Sequence, residues 1–221
     1  MKPSLIFDLD GTLVDSLPGI AASLNRTLSA HGLPGHSTAV IRSFIGDGLK
    51  TLVQRASSAT VNPTLRDSLI ALFKKDYELS WIHGTKAYPG IHHMLDELQK
   101  SGFPFAVLSN KTHDFTVMMV HAMFPLIHFA KVLGQQEGIP HKPNPDGALQ
   151  IASALGASPA NAIIIGDSTI DLETAANAGM QAIAVTWGYH DRARLLAAGA
   201  TRLIEQPAEL PGLLGVIADR G

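Results

Sequence analysis

A chain of 221 residues is long enough for one α/β domain with a sizeable core, or for such a core with a small insertion, and for little more. Its 17 Lys and Arg against 19 Asp and Glu give no basic surplus of the kind that nucleic acid or an anionic membrane needs, so a small soluble ligand fits better. The absence of Cys excludes disulfides, thiolate metal sites and a cysteine nucleophile.

The first apolar run, Ser4 to Phe7, reads as a buried parallel strand and meets charge at Asp8, too soon for a signal peptide. No later run approaches a membrane span, so the expectation is a cytoplasmic protein, monomer or homodimer. From about Leu17 to Lys86 the pattern is helical, with one apolar stripe at Leu17, Ile20, Ala21, Leu24 and Leu28 and another at Leu65, Leu69, Leu72 and Phe73. Ile91, Met94, Leu95 and Leu98 then mark a helix stopped by Gly102. Pro104 to Leu108 and Lys131 to Leu133 are the next strand runs. Asn144 as cap and Pro145 in the first helical position start a helix through Ala148 to Leu155, ending at Gly156. Ala162 to Ile165 and Ala182 to Val185 complete the strands.

Strands alternating with helices predict a doubly wound, Rossmann-like parallel sheet. The interval between the first two strands is far too long for a βα crossover, which implies an inserted, small α-helical cap. The expected division is a core of residues 1–16 and 87–221 and a cap of residues 17–86, with hinges at Asp15 to Pro18 and Ala87 to Gly90.

Ligands of open α/β sheets bind beyond the carboxyl ends of the strands, so the polar residues after each run form the candidate site. They are Asp8 and Asp10, then Ser109 and Asn110, then Lys142, then Asp167 and Asp171. Asp8 and Asp10, two apart in extended chain, face one side while Leu9 turns into apolar surroundings. Clustered carboxylates repel unless a hard divalent cation sits among them, and magnesium is the natural candidate. A carboxylate with an ordinary pKa of about 3.9 needs no activating base, so Asp8 could attack phosphorus and form an aspartyl-phosphate. Asp10 would do the proton work, and Lys142 would offset charge on the phosphoryl oxygens. Gly11 and Thr12 could present backbone N–H groups to phosphate, and Ser109 a hydroxyl.

Bland readings stand beside these. Taken singly, Asp167, Ser168, Asp171 and Ser109 read as helix caps, and Lys142 as a solvated side chain whose loop is stiffened by Pro143 and Pro145. The 10 His residues show no ligand spacing. Gly46-Asp47-Gly48 reads as a turn of the cap, with no third glycine at dinucleotide spacing.

Over almost the whole chain these motifs resemble the haloacid dehalogenase superfamily, in particular its phosphoglycolate phosphatase-like branch. Asp8-Leu9-Asp10-Gly11-Thr12-Leu13-Val14-Asp15-Ser16 is similar to the family's first motif. Ser109-Asn110 resembles the phosphate-binding second motif, Lys142 the third, and Gly166-Asp167-Ser168-Thr169-Ile170-Asp171 the fourth. Ile45-Gly46-Asp47-Gly48-Leu49 and Thr186-Trp187-Gly188-Tyr189 are similar to the phosphoglycolate branch. The resemblance implies Asp8 as nucleophile, with a Mg2+ ligated by Asp8, Asp167 and the carbonyl of Asp10, and Asp171 behind them. It further implies cleavage of a small phosphate ester, 2-phosphoglycolate among the candidates, between core and cap, with Arg42, Gly46 and Lys50 as contacts to its organic part.

Asp10 argues against carbon–halogen chemistry, because dehalogenases of the superfamily lack that aspartate. A β-phosphoglucomutase-like phosphomutase remains open, as does a phosphonate hydrolase using Lys50, and a non-catalytic phosphate binder. From another class, a signalling receiver shares the strand-end Asp, magnesium and Lys, although the cap-sized insertion and Asp10 disfavour it.

Overall fold

The computed structural model describes residues 2–57 and 61–218. Its strands are β1 (Ser4–Phe7), β2 (Val14–Asp15), β3 (Lys86–Ala87), β4 (Phe105–Thr112), β5 (Lys131–Gln135), β6 (Ala162–Gly166), β7 (Gln181–Val185) and β8 (Leu203–Ile204). The helices are α1 (Leu17–Ser29), α2 (Thr38–Arg42), α3 (Gly48–Ala56), α4 (Pro63–Ser80), α5 (Ile91–Lys100), α6 (His113–Met123), α7 (Asp146–Ala154), α8 (Thr169–Ala178), α9 (Arg192–Ala197) and α10 (Glu209–Ala218). Among the described residues, no helix is long and apolar enough to cross a membrane.

The chain forms two compact units, Met1–Leu13 with Ala87–Gly221, and Val14–Lys86. In the first, six parallel strands run in the order β5-β4-β1-β6-β7-β8. β1 is central because Ser4 to Phe7 is apolar enough to be covered on both faces, and all four residues are buried. Alternation along the strands sorts the side chains. Ile6, Ala106, Leu108, Leu133 and Ile164 pack with Ala148, Ile151 and Ala152 of α7 and Ala175 and Ala178 of α8. On aromatic residues the packing is edge-on, with Phe7 against Phe105 at 6.2 Å between centroids and Phe105 against Phe129 at 5.2 Å.

From β1 the chain proceeds to β4 and β5 on one side, then crosses to β6 on the other. The strand order therefore reverses beside β1, which opens the sheet at its carboxyl end there. Phe7 lies level with Val107 and with Ile165, so the residues just past these positions emerge together.

The five longer strands match the apolar runs of the sequence, while β2, β3 and β8, of two residues each, are too short to carry a periodicity. One helix start differs from expectation. α7 begins at Asp146, with Pro145 as its cap and the Asn144 side chain accepting from the Asp146 N–H at 2.9 Å. Pro145 thus stands one position outside the first helical residue.

In the unit Val14–Lys86, Val53, Val61 and Leu69 form an apolar cluster edged by Leu33, Leu49, Leu65 and Ile70. Arg26 on α1 donates to both carboxylate oxygens of Asp76 on α4, at 2.9 and 2.5 Å. Gly46 and Gly48, at φ +124° and +82°, form the turn that opens α3, and Asp47 between them pairs with Arg55 at 2.6 Å.

Candidate active site

β1 ends at Phe7, and the next residues place three side chains by simple alternation. Leu9 is fully buried, while the carboxylates of Asp8 and Asp10 keep 12% and 13% of their surface. Gly11 makes the turn that follows at φ +90°, where a Cβ would run into the Asp167 carboxylate.

Lys142 is the hub. Its side chain is 4% exposed, and its ammonium lies 2.9 Å from Asp8 Oδ1 and 2.7 Å from Asp171 Oδ1 and donates to the Leu108 carbonyl at 3.2 Å. Its backbone is fixed as well. The Asn110 amide accepts from the Lys142 N–H at 2.8 Å and donates to the Lys142 carbonyl at 3.0 Å. The Asn110 side chain, expected to face a phosphate, thus holds the Lys142 loop from both sides.

Asp167 follows β6 and takes two donors from other segments, the Thr12 hydroxyl at 3.0 Å and the Tyr189 N–H at 2.7 Å. The Thr12 N–H turns back to the Leu9 carbonyl at 3.3 Å, so Thr12 serves Asp167 with its hydroxyl and the local turn with its amide. Its carbonyl accepts from the Trp187 indole at 3.0 Å. Gly188 fits between, since a Cβ there would strike Asp167 and the Gly11 carbonyl.

Asp171 uses its two carboxylate oxygens separately. One oxygen accepts from the Ser168 N–H at 3.1 Å and the Ser168 hydroxyl at 2.7 Å, as at a helix start, and the other accepts from Lys142. Ser109 is buried, and its hydroxyl accepts from the Lys111 N–H at 3.2 Å.

Asp8, Asp167 and Asp171 each bring a carboxylate oxygen within 4.8 Å of the others. Burial pushes Asp8 well above the usual carboxylate range; Lys142 opposes this, and the charges of Asp171 and Asp167 add to it. Burial, then the Asp171 charge, pushes Asp167 up to about 7 against the Tyr189 N–H, the Thr12 hydroxyl and Lys142. Burial pulls the Lys142 ammonium down, but Asp171 and Asp8 more than reverse that and hold it above the usual lysine range. One ammonium does not balance three carboxylates. A hard cation fits this donor set, because it would reverse the repulsion that now favours protonation.

Asp10 stands outside that group, with its carboxylate 3.1 Å from Lys111 Nζ. Lys111 was not among the residues that strand-end polarity singled out, nor were Trp187 and Tyr189 given a role. Their signal was available: Lys111 extends the polar end of the second strand run, and Trp187 and Tyr189 follow the fifth. The remaining three candidates lie in the other unit. Arg42 ends α2, Gly46 sits in the turn before α3, and Lys50 is exposed in the first turn of α3.

A family model described as haloacid dehalogenase-like hydrolase matches residues 5–185, a span that holds every residue of this cluster. The chain belongs to the haloacid dehalogenase-like hydrolase family. A phosphoglycolate phosphatase of Mesorhizobium japonicum is 32% identical over 194 residues, covering 86% of each chain. One of Aquifex aeolicus is 31% identical over 185 residues, covering 84% of this chain and 85% of its own. A solved haloacid dehalogenase-like family hydrolase of Streptococcus pneumoniae superposes with a TM-score of 0.86 at 28% identity, over 96% of this chain and 98% of its own. As a member of the family the chain is a hydrolase with an α/β Rossmann-like core, and its acidic cluster sits where such a sheet binds its ligand.

Proposed function

We propose that this hydrolase cleaves a small phosphomonoester in two steps through an aspartyl-phosphate on Asp8, with 2-phosphoglycolate as the first substrate to test. The observation that carries the reading is the contact of Asp8 Oδ1 with Lys142 at 2.9 Å inside a cluster of buried carboxylates. A nucleophile is aimed there, and positive charge waits where a phosphoryl group would enter. The names of the two bacterial relatives support the substrate class.

In the first step an Asp8 oxygen bonds to phosphorus as the ester P–O bond breaks, and Asp10 gives a proton to the departing alkoxide. In the second, water attacks phosphorus while Asp10 takes its proton, releasing phosphate and restoring Asp8. Lys142 and the Ser109 hydroxyl bind phosphoryl oxygens, with the Gly11 backbone as a further donor. Asn110 and Thr12 act one layer back, on Lys142 and Asp167. Asp8 and Asp167 would hold a divalent cation, for which Mg2+ suits all-oxygen donors, with Asp171 orienting from behind. Bound there, the cation would neutralise charge on the phosphoryl oxygens. Arg42, Gly46 and Lys50 are proposed contacts to the organic part of the substrate.

The test is phosphate release from a panel of small phosphoesters with Mg2+ and with chelator, in the parent and in Asp8→Asn. Release that needs the metal and disappears in the variant is expected. Continued turnover by a folded Asp8→Asn protein would remove Asp8 from the nucleophile role.

A further inference from the structure

β4 changes register against β5 between Leu108 and Thr112, and within that stretch two successive side chains take different partners. Asn110 turns to the Lys142 backbone, and Lys111 turns to Asp10. The Lys111 backbone is pinned at both ends, its N–H to the Ser109 hydroxyl at 3.2 Å and its carbonyl to the Thr116 hydroxyl at 3.2 Å. The ammonium stem therefore starts from a fixed point. It reaches a carboxylate just past β1, in a pair whose members keep only 10% and 13% of their side-chain surface. Covering a lysine this far costs rotamer freedom and hydration, and an ion pair so enclosed adds little net stability. Proton transfer, by contrast, needs its donor held at hydrogen-bond reach of the leaving oxygen, about 2.6–3.2 Å between heavy atoms.

We infer that Lys111 is a positioning residue for Asp10, holding the acid/base carboxylate at the carboxyl end of β1 while Lys142 serves the nucleophile. The two lysines divide the work: Lys142 contacts Asp8 and Asp171, and Lys111 contacts Asp10. This rests on the reading of Asp10 as the proton donor to the leaving group.

Leaving-group dependence separates that role from others. A protonated leaving oxygen matters for an alkyl phosphate and hardly at all for 4-nitrophenyl phosphate, whose phenolate leaves unaided. The measurement is kcat/KM, which reports steps through ester cleavage, for ethyl, phenyl and 4-nitrophenyl phosphate with Mg2+. It is made on the parent, Lys111→Met, Lys111→Arg and Asp10→Asn, each checked for folding by urea titration. In Lys111→Met the loss should be about 10²-fold on the alkyl ester and under about 10-fold on the nitrophenyl ester. Asp10→Asn should show the same slope, and Lys111→Arg should recover part of it.

An equal loss on all three esters would make Lys111 a phosphate-binding charge and overturn the inference. With kcat and KM for 2-phosphoglycolate, which carries a carboxylate, measured beside them, a loss confined to its KM would make Lys111 a specificity residue and overturn the inference too. If Asp10→Asn itself shows no leaving-group dependence, the acid role of Asp10 fails and takes this inference with it. A steep Asp10→Asn beside a level Lys111→Met would reject Lys111 alone.

Discussion

The Asn110 side chain grips the backbone of Lys142 on both sides, accepting its N–H at 2.8 Å and donating to its carbonyl at 3.0 Å. A residue at the end of one strand thereby fixes the loop that follows the neighbouring one. Lys142 reaches Asp8 from a held backbone, so its ammonium loses little freedom when a phosphoryl group arrives.

Replacing Asn110 by Ala leaves a buried N–H and carbonyl without their partner and should cost about 1–3 kcal/mol of stability. Activity should fall further, about 10²-fold in kcat, because Lys142 is then misplaced although it is still present. Urea midpoints beside kcat for one phosphoester separate the two effects; a stability loss with unchanged kcat would restrict Asn110 to the fold.

Lys142→Met removes the ammonium from between Asp8 and Asp171. In chelator at neutral pH it should lower stability by about 3–5 kcal/mol, the usual cost of stripping one partner from a buried pair. The deficit should shrink in acid, where the carboxylates it leaves behind are neutral. Urea unfolding of parent and variant at neutral and acidic pH tests this, and an identical deficit at both would mean packing, not charge, is lost.

The Asp167 carboxyl titrates near 7 in the folded protein, against about 3.9 in an unfolded chain. Between those values the folded state binds more protons than the unfolded one, so this contribution is whole below about pH 4 and is lost as the pH rises toward 7. Asp8 shifts in the same direction. Thermal unfolding in chelator should therefore move to lower temperature from pH 5 to 8, less steeply in Asp167→Asn. Mg2+ should raise the midpoint more at pH 8 than at pH 5, since it competes with the protons. A Mg2+ effect independent of pH would argue against binding by these carboxylates.

Gly188 lies where a methyl group would meet both Asp167 and the Gly11 carbonyl. Gly188→Ala should cost about 1–3 kcal/mol through overpacking, and because the displaced atoms belong to Asp167, the apparent Mg2+ affinity should weaken as well. Mg2+ titration of phosphate release reads the second effect. A destabilised variant with unaltered metal dependence would show that the loop relaxes without moving Asp167.

By itself the sequence determined the strands long enough to show an apolar run, the helical stripes of the insertion, and the polar residues waiting at each strand end. These are local properties: buried strands must be apolar, helices must repeat near 3.6, and polar groups must begin where burial stops. Asp8, Ser109, Lys142, Asp167 and Asp171 were legible for that reason. Tertiary structure alone decided which of them meet. Asn110 holds Lys142, Thr12 and Tyr189 hold Asp167, and Lys111 meets Asp10, because strand order, register and the irregular end of β4 bring distant segments to one level. No single segment encodes such a pairing. The first motif began as two carboxylates after a strand, and only the fold gave each of them a lysine of its own.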